Sequence, residues 1–170
     1  MKQRAILKYK TQLTNYSDQN LLIPLGHEEE FWEWFNMKSR LFDNSKINLS
    51  LRNIKLSEIN EGYCFKNSYR IANAYCKNQF YYEGFCFLHQ DDSCIKHAFN
   101  VGKRGRVNDY TVGIEKKSKY DYYVGVKIPL SFVRRFYKSD KKNSCSQYAL
   151  LVSYFLYSNK IDNYMNYLEP

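Results

Sequence analysis

The pattern of apolar and polar residues predicts four helices in this chain of 170 residues. Acidic residues 28–30 precede an aromatic run, and acidic side chains stabilise the first turn of a helix. After Cys64, apolar residues recur at helical spacing. The predicted helices span about 28–42, 64–77, 130–137 and 144–160.

Between the second and third of these helices the pattern changes to aromatic-rich segments that alternate with period two. The predicted strands span about 79–89, 94–101, 106–112 and 120–128. This order indicates an α+β fold. We expect an antiparallel sheet of about four strands, arranged as a central meander. It packs against the helix that begins at Cys64, with flanking N- and C-terminal helices. The length predicts a single domain over 1–170.

The composition excludes several classes of protein. A hydrophobic fraction of 44% with 18% aromatic residues is too high for a generally disordered chain. No apolar run approaches the roughly 20 residues of a membrane span, and residues 1–12 do not resemble a secretory signal. We therefore expect a cytoplasmic protein without membrane partners. The odd number of cysteines, five, favours free thiols over a disulfide framework.

Three residues, Cys64, His97 and Asp109, are of types that can act together in catalysis. A thiol at the start of a helix lies at the positive end of the helix dipole, which favours the nucleophilic thiolate. A histidine nearby can accept the thiol proton and later protonate a leaving group. A carboxylate beyond the histidine fixes its tautomer and orientation.

The predicted hairpin around residues 102–105 brings the histidine and the carboxylate together. If the turn is centred on Lys103, then Phe99 lies opposite Val107 and His97 lies opposite Asp109. Directly opposed side chains share a face, with Cβ atoms about 5 Å apart. This face is also apolar, and we expect it to pack against a helix, with the start of the Cys64 helix near the imidazole.

Five spaced segments carry a resemblance to a known class: 61–68, 82–85, 97–101, 105–111 and 122–129. Together they resemble small bacterial and phage proteins of the papain-like, transglutaminase-like and NlpC-like cysteine hydrolases. The resemblance covers about 61–129 and implies a Cys-bearing helix packed on an antiparallel sheet. It implies that Cys64 is the nucleophile, His97 the base and Asp109 the orienting group. The Asp-Cys-Ser-Gly signature of NlpC-like cell-wall enzymes is absent, so the resemblance implies a reaction type and no substrate.

Acyl transfer also needs donors that stabilise the oxyanion. The backbone N–H of Cys64 is the natural candidate, and Asn60 or Tyr63 are candidates for a second donor. Glu83 lies between the Cys64 helix and the His97 strand in the sequence. We consider two roles for it, a residue that lines the site and an exposed strand carboxylate.

The net charge of +9 is concentrated in one stretch of the chain. Between residues 96 and 142 there are 13 basic and 4 acidic residues, and 13 − 4 = 9. The candidate basic patch comprises Lys103, Arg104, Arg106, Lys116, Lys117 and Lys119. It suggests an anionic substrate or partner, or solvated turns without a partner. An alternative function is a nucleic-acid or protein-binding module of the same fold, such as a phage accessory protein. It is suggested by the basic residues of 116–119, which are followed by Tyr120, Tyr122 and Tyr123.

A metal site is the remaining alternative. Cys86, His89, Cys94 and His97 are zinc-competent ligands, but alternation along a strand sends Cys86 and His89 to opposite faces. The proposed thiol chemistry requires neither a metal nor a cofactor.

Overall fold

A computed structural model describes residues 21, 23–43, 63–88, 94–111, 120–143 and 149–161. In chain order the elements are α1 (Glu28–Lys38), β1 (Arg40–Asp43), α2 (Cys64–Ala74), β2 (Gln79–Leu88), β3 (Cys94–Gly102), β4 (Val107–Asn108), β5 (Tyr120–Lys127), α3 (Leu130–Asn143) and α4 (Leu150–Ser158). The α+β class, the antiparallel sheet, the Cys-bearing helix packed on it and the flanking helices are confirmed.

The sheet has five strands in the order β1-β5-β2-β3-β4, and every pairing is antiparallel. Strands β2, β3 and β4 form a meander, but β5 returns to the other side of β2. The prediction of a four-strand meander is therefore wrong for its last strand. Residues 81–87 of β2 are all buried, as expected for a strand that is covered on both faces.

Several element boundaries differ from the predicted ones. The helix predicted over 28–42 ends at Lys38, and Arg40–Asp43 forms the edge strand β1 instead. The spacing of Leu41 and Phe42 suits a helix as well as a strand, and pairing with β5 decides the outcome. Helix α2 begins at Cys64 as predicted and ends at Ala74, three residues early. Strand β4 has only two residues, whereas α3 extends beyond its predicted end.

The chain divides into two compact units, one formed by Ser39–Leu130 and one by Met1–Lys38 with Ser131–Pro170. The first unit contains the sheet and α2. In the second, aromatic rings hold the helices together: Phe155 of α4 packs edge-on against Phe31 and Trp34 of α1, with 5.4 Å between ring centroids in both pairs. The single-domain prediction stays a prediction. Of the helices that the structure describes, none has the length and apolarity needed to cross a membrane.

The β3–β4 hairpin has a three-residue loop, Lys103–Gly105. Gly102 N–H donates to the Arg106 carbonyl at 2.9 Å, and Gly105 adopts a left-handed φ of 72°. A type I turn followed by a left-handed residue is the usual geometry of such loops. The predicted register is therefore wrong by two residues, because Val107 pairs with Val101 instead of Phe99. Since side chains alternate with period two, this shift leaves every side chain on its predicted face.

The two faces of the sheet differ in their partners. The face that bears His97 carries an apolar cluster of Phe42, Tyr82, Cys86, Phe99, Val101, Val107 and Tyr123. Helix α2 packs on the opposite face, where Asn100 Nδ2 donates to the Ser68 carbonyl and Lys96 Nζ lies 5.1 Å from the centre of the Phe65 ring. The sequence left open which helix covers the apolar His97 face, and α2 covers the other face.

Candidate active site

The start of α2 lies at the edge of β3 beside His97. Ser68 Oγ donates to the Ala98 carbonyl at 2.8 Å, which fastens the first turns of the helix to this edge. The β3–β4 ladder among the described residues involves only Asn100 and Val101, so it ends before His97. The helix start therefore approaches the imidazole from the edge of the sheet although α2 covers the other face.

Cys64 is the first residue of α2, and it is buried. Its neighbour Tyr63 is the N-cap and makes no side-chain capping hydrogen bond, while the first turn contains no acidic residue. No carboxylate within the first turn offsets the partial positive charge of the helix start.

His97 and Asp109 form a short, buried pair. His97 Nε2 lies 2.6 Å from Asp109 Oδ2, and the two residues are 3% and 2% exposed. The carboxylate also accepts hydrogen bonds from Tyr123 Oη at 2.8 Å and from the Thr111 N–H at 3.1 Å. Three donors therefore fix the position of Asp109. The predicted juxtaposition of His97 and Asp109 is present, although Asp109 follows the last residue of β4 and is not a ladder partner of His97.

The charge on His97 is set by this environment. Burial alone lowers the pKa of His97, but the charge and hydrogen bond of Asp109, together with a hydrogen bond and charge from Cys64, raise it from 6.5 to about 10. His97 therefore carries a proton at neutral pH. Because Nε2 faces Asp109, Nδ1 is the ring nitrogen left to exchange a proton with the thiol.

A buried polar network connects the nucleophile helix to the carboxylate. Asn67, one turn after Cys64, donates from Nδ2 to Thr111 Oγ1 at 3.0 Å, and the Thr111 N–H contacts Asp109. The sequence does not identify Asn67, Thr111 or Tyr123 as residues of the catalytic site. The position of Thr111 two residues after Asp109 is a local signal, since Asp side chains often accept from the backbone two residues on. Tyr123 is brought in by the strand order and has no such signal.

The structure does not bring Glu83 to His97. Gly84 is the residue of β2 that pairs with His97, so Glu83 faces the other side of the sheet. There its buried carboxylate accepts a hydrogen bond from Tyr81 Oη at 3.0 Å and lies 3.7 Å from Lys96 Nζ. Of the two roles considered from the sequence, exposure is wrong, because Glu83 is 0% exposed.

The remaining candidates fall into two groups. Tyr63 is 58% exposed beside Cys64, and Lys103, Arg104 and Arg106 are exposed in the β3–β4 hairpin. Outside the described residues lie Asn60, Lys116, Lys117 and Lys119. Their predicted roles stay predictions.

The structure bears on both alternatives to catalysis, nucleic-acid binding and a metal site. Tyr123 is fully buried and bonded to Asp109, and Tyr122 stacks on Phe87 with 4.4 Å between ring centroids. Neither ring is an exposed platform for a nucleotide base. Of the proposed metal ligands, His89 and the side chain of Cys94 lie outside the described residues, and within the described part no three metal-ligating side chains form a cluster.

No protein-family model, curated protein or solved structure matches this chain. The resemblance to papain-like cysteine hydrolases therefore stays a prediction.

Proposed function

We propose that this chain is a thiol-dependent hydrolase or acyl transferase with a Cys64–His97–Asp109 triad. The observation that carries the proposal is the contiguous arrangement of a thiol at a helix start, a protonated histidine and a triply hydrogen-bonded carboxylate. Such an arrangement suits nucleophilic attack on an amide, isopeptide or thioester carbonyl.

The proposed first step is attack of the Cys64 sulfur on the carbonyl carbon of the substrate. The imidazolium of His97 stabilises the attacking thiolate and then gives its proton to the leaving amine or thiol. The C–N or C–S bond breaks, and a thioester to Cys64 remains. His97 is now neutral.

The second step releases the acyl group. Neutral His97 removes a proton from water, or from an acceptor amine, as the oxygen or nitrogen attacks the thioester carbonyl. The C–S bond breaks and Cys64 leaves as the thiolate beside protonated His97. Asp109 keeps the Nε2–H of His97 in place throughout, so Nδ1 always faces the reacting atoms. The backbone N–H of Cys64 is the proposed oxyanion donor.

A cytoplasmic location is part of this proposal, and the free thiols of Cys64, Cys76 and Cys86 support it, because thiols stay reduced in that compartment. The second candidate function is a binding module that uses the same fold without catalysis. The exposed positive charge of the β3–β4 hairpin favours this candidate, because solvated basic residues attract anionic partners whether or not Cys64 reacts.

Acylation by a generic activated ester, p-nitrophenyl acetate, tests the proposal without a known substrate. We expect rapid release of nitrophenol, close to one equivalent per protein, and an acetyl group on the Cys64 peptide by mass spectrometry. Cys64→Ala should lose both signals. The matched control is Cys76→Ala, which removes an exposed thiol and should retain both. Acetylation that is confined to Cys76, or a burst that persists in Cys64→Ala, would contradict the proposal.

A further inference from the structure

The Asp109 carboxylate accepts its hydrogen bonds unequally at its two oxygen atoms. Oδ1 accepts from the Thr111 N–H at 3.1 Å. Oδ2 accepts two hydrogen bonds, one from His97 Nε2 at 2.6 Å and one from Tyr123 Oη at 2.8 Å. The imidazole of His97 and the hydroxyl of Tyr123 therefore share one oxygen atom of the carboxylate.

Aromatic packing on the His97 face of the sheet holds the Tyr123 ring in this position. Tyr123 is fully buried, and its ring centroid lies 5.1 Å from that of Phe99 and 5.9 Å from that of His97. The Phe99 ring lies against Gly125, where a Cβ would come within 2.9 Å of it, so glycine leaves the room that this ring occupies. The rings on either side thus keep the Tyr123 hydroxyl at Asp109.

We propose that Tyr123 is a positioning residue that limits how strongly Asp109 holds the proton on His97. This inference rests on the proposed function, because it concerns how the same triad alternates between acid and base. Tyr123 acts through Asp109: a carboxylate oxygen that already accepts one hydrogen bond has less negative charge to offer to a second donor. The Tyr123 hydroxyl therefore weakens the hold of Asp109 on the imidazolium of His97.

The second step of the proposed reaction depends on this limit. His97 must be neutral to remove a proton from the water that attacks the Cys64 thioester. Asp109 raises the pKa of His97 more than Cys64 does, and the Cys64 sulfur carries no charge once it is acylated. Without the Tyr123 hydrogen bond, Asp109 would stabilise the imidazolium further and raise the pKa of His97. Less of the neutral base would then be present, and the thioester would hydrolyse more slowly.

The titratable groups around His97 come from four parts of this unit. Among the described residues they are Cys64 of α2, Asp109 after β4, Tyr123 of β5, and Tyr82 and Cys86, which flank Gly84 on the His97 face of β2. Replacement of Tyr123 by Phe leaves the other four groups in place. A change in the titration of His97 then reports on the shared carboxylate oxygen.

The opposite face of the same sheet supplies a matched control. Tyr81 is buried there, and its hydroxyl donates to the buried carboxylate of Glu83 at 3.0 Å. Tyr81→Phe therefore removes the same kind of hydrogen bond, from a tyrosine to a buried carboxylate, on the face that does not bear His97. If the Tyr123 hydroxyl contributed only to stability, Tyr123→Phe and Tyr81→Phe would have similar effects.

Acylation and deacylation of Cys64 are measured separately at a series of pH values. The burst of nitrophenol from p-nitrophenyl acetate gives the acylation rate, and loss of the acetyl group after removal of the ester, followed by mass spectrometry, gives the deacylation rate. In Tyr123→Phe the midpoint of the deacylation profile should move to higher pH by about one unit, so that deacylation below the midpoint slows about tenfold. Acylation should slow by a smaller factor, because nitrophenolate leaves without taking a proton. Tyr81→Phe should leave the midpoint unchanged.

Nitrogen-15 titration of His97 in the Cys64→Ala background measures the same effect without any reaction. The pKa of His97 should be higher in Tyr123→Phe than in the protein that keeps Tyr123. An unchanged or lower pKa, or an equal shift in Tyr81→Phe, would overturn the inference. The expected shift of His97 without acetylation of Cys64 would refute only the proposed function, and acetylation without the shift would refute only the role of Tyr123.

Discussion

Substitution of Asp109 by Asn should change the charge state of His97 at neutral pH. Asn keeps the size of the side chain but removes the negative charge that lies 2.6 Å from His97 Nε2. Burial is the largest influence on the pKa of His97 and lowers it, and without Asp109 only Cys64 opposes this effect. We therefore expect the pKa of His97 to fall from about 10 to below 6.5, so that the imidazole becomes neutral at pH 7.

The same substitution should also destabilise the fold. The carboxylate accepts hydrogen bonds from His97, Tyr123 and Thr111, and an amide in its place directs two N–H donors at groups that are themselves donors. Loss of one partner of a buried ion pair typically costs 3–5 kcal/mol. Because His97 loses its charge in this variant and one amide oxygen remains as an acceptor, we expect a loss near the lower limit, about 3 kcal/mol, from urea unfolding curves.

Nitrogen-15 chemical shifts of the imidazole measure the charge state of His97 directly. The chain has three histidines, so substitution of the other two assigns the His97 signal. Tyr123→Phe is the matched control, because it removes one hydrogen bond to Asp109 and leaves the carboxylate charge, so His97 should stay protonated at pH 7. A wild-type His97 that titrates near 6.5, or one that stays protonated at pH 7 in Asp109→Asn, would refute the assignment of the ion pair.

Three further predictions concern stability. Because the pKa of His97 is raised, the stability that His97 contributes is fully present below pH 6.5 and is lost as pH rises through about 10. We expect the free energy of unfolding, measured by urea titration at several pH values, to fall by a few kcal/mol over this range, on the order of 1.4 kcal/mol per pKa unit. His97→Gln should abolish this pH dependence. Asn67→Ala should destabilise the fold by about 1–3 kcal/mol, because it removes the buried donor to Thr111. Lys66→Ala on the exposed side of α2 should cost less than about 0.5 kcal/mol, and equal effects of the two substitutions would contradict the role of the network. Gly84→Ala should lower the melting temperature by several degrees, because its Cβ would collide with a carbonyl oxygen of β5, and an unchanged melting temperature would contradict this close strand approach.

Local patterns were sufficient to predict much of the fold. The start of α2 at Cys64 follows from helical periodicity, and the strands from period-two alternation with turn residues between them. The hairpin register was predicted two residues out, because the loop is centred on Arg104 and not on Lys103. His97 and Asp109 still share a face, since a shift of two residues leaves each side chain of a strand on the same side of the sheet.

The parts of the site that could not be predicted depend on packing between distant segments. No local sequence pattern indicates that β5 pairs with β2. This pairing places Tyr123 within hydrogen-bond distance of Asp109. The side of the sheet on which α2 packs could not be predicted either. The apolar His97 face suggested a helix cover, but buried polar contacts of Asn67 and Asn100 hold α2 at the β3 edge and on the opposite face.

The most direct test of the central claim is the rate of alkylation of Cys64 by iodoacetamide near neutral pH, measured peptide by peptide against Cys76. Cys76 is an exposed thiol and Cys64 is buried, so accessibility alone predicts faster reaction of Cys76. We predict that Cys64 reacts faster than Cys76 in the wild-type protein and that this difference disappears in His97→Gln. A Cys64 that reacts more slowly than Cys76, at a rate that His97→Gln does not change, would contradict it.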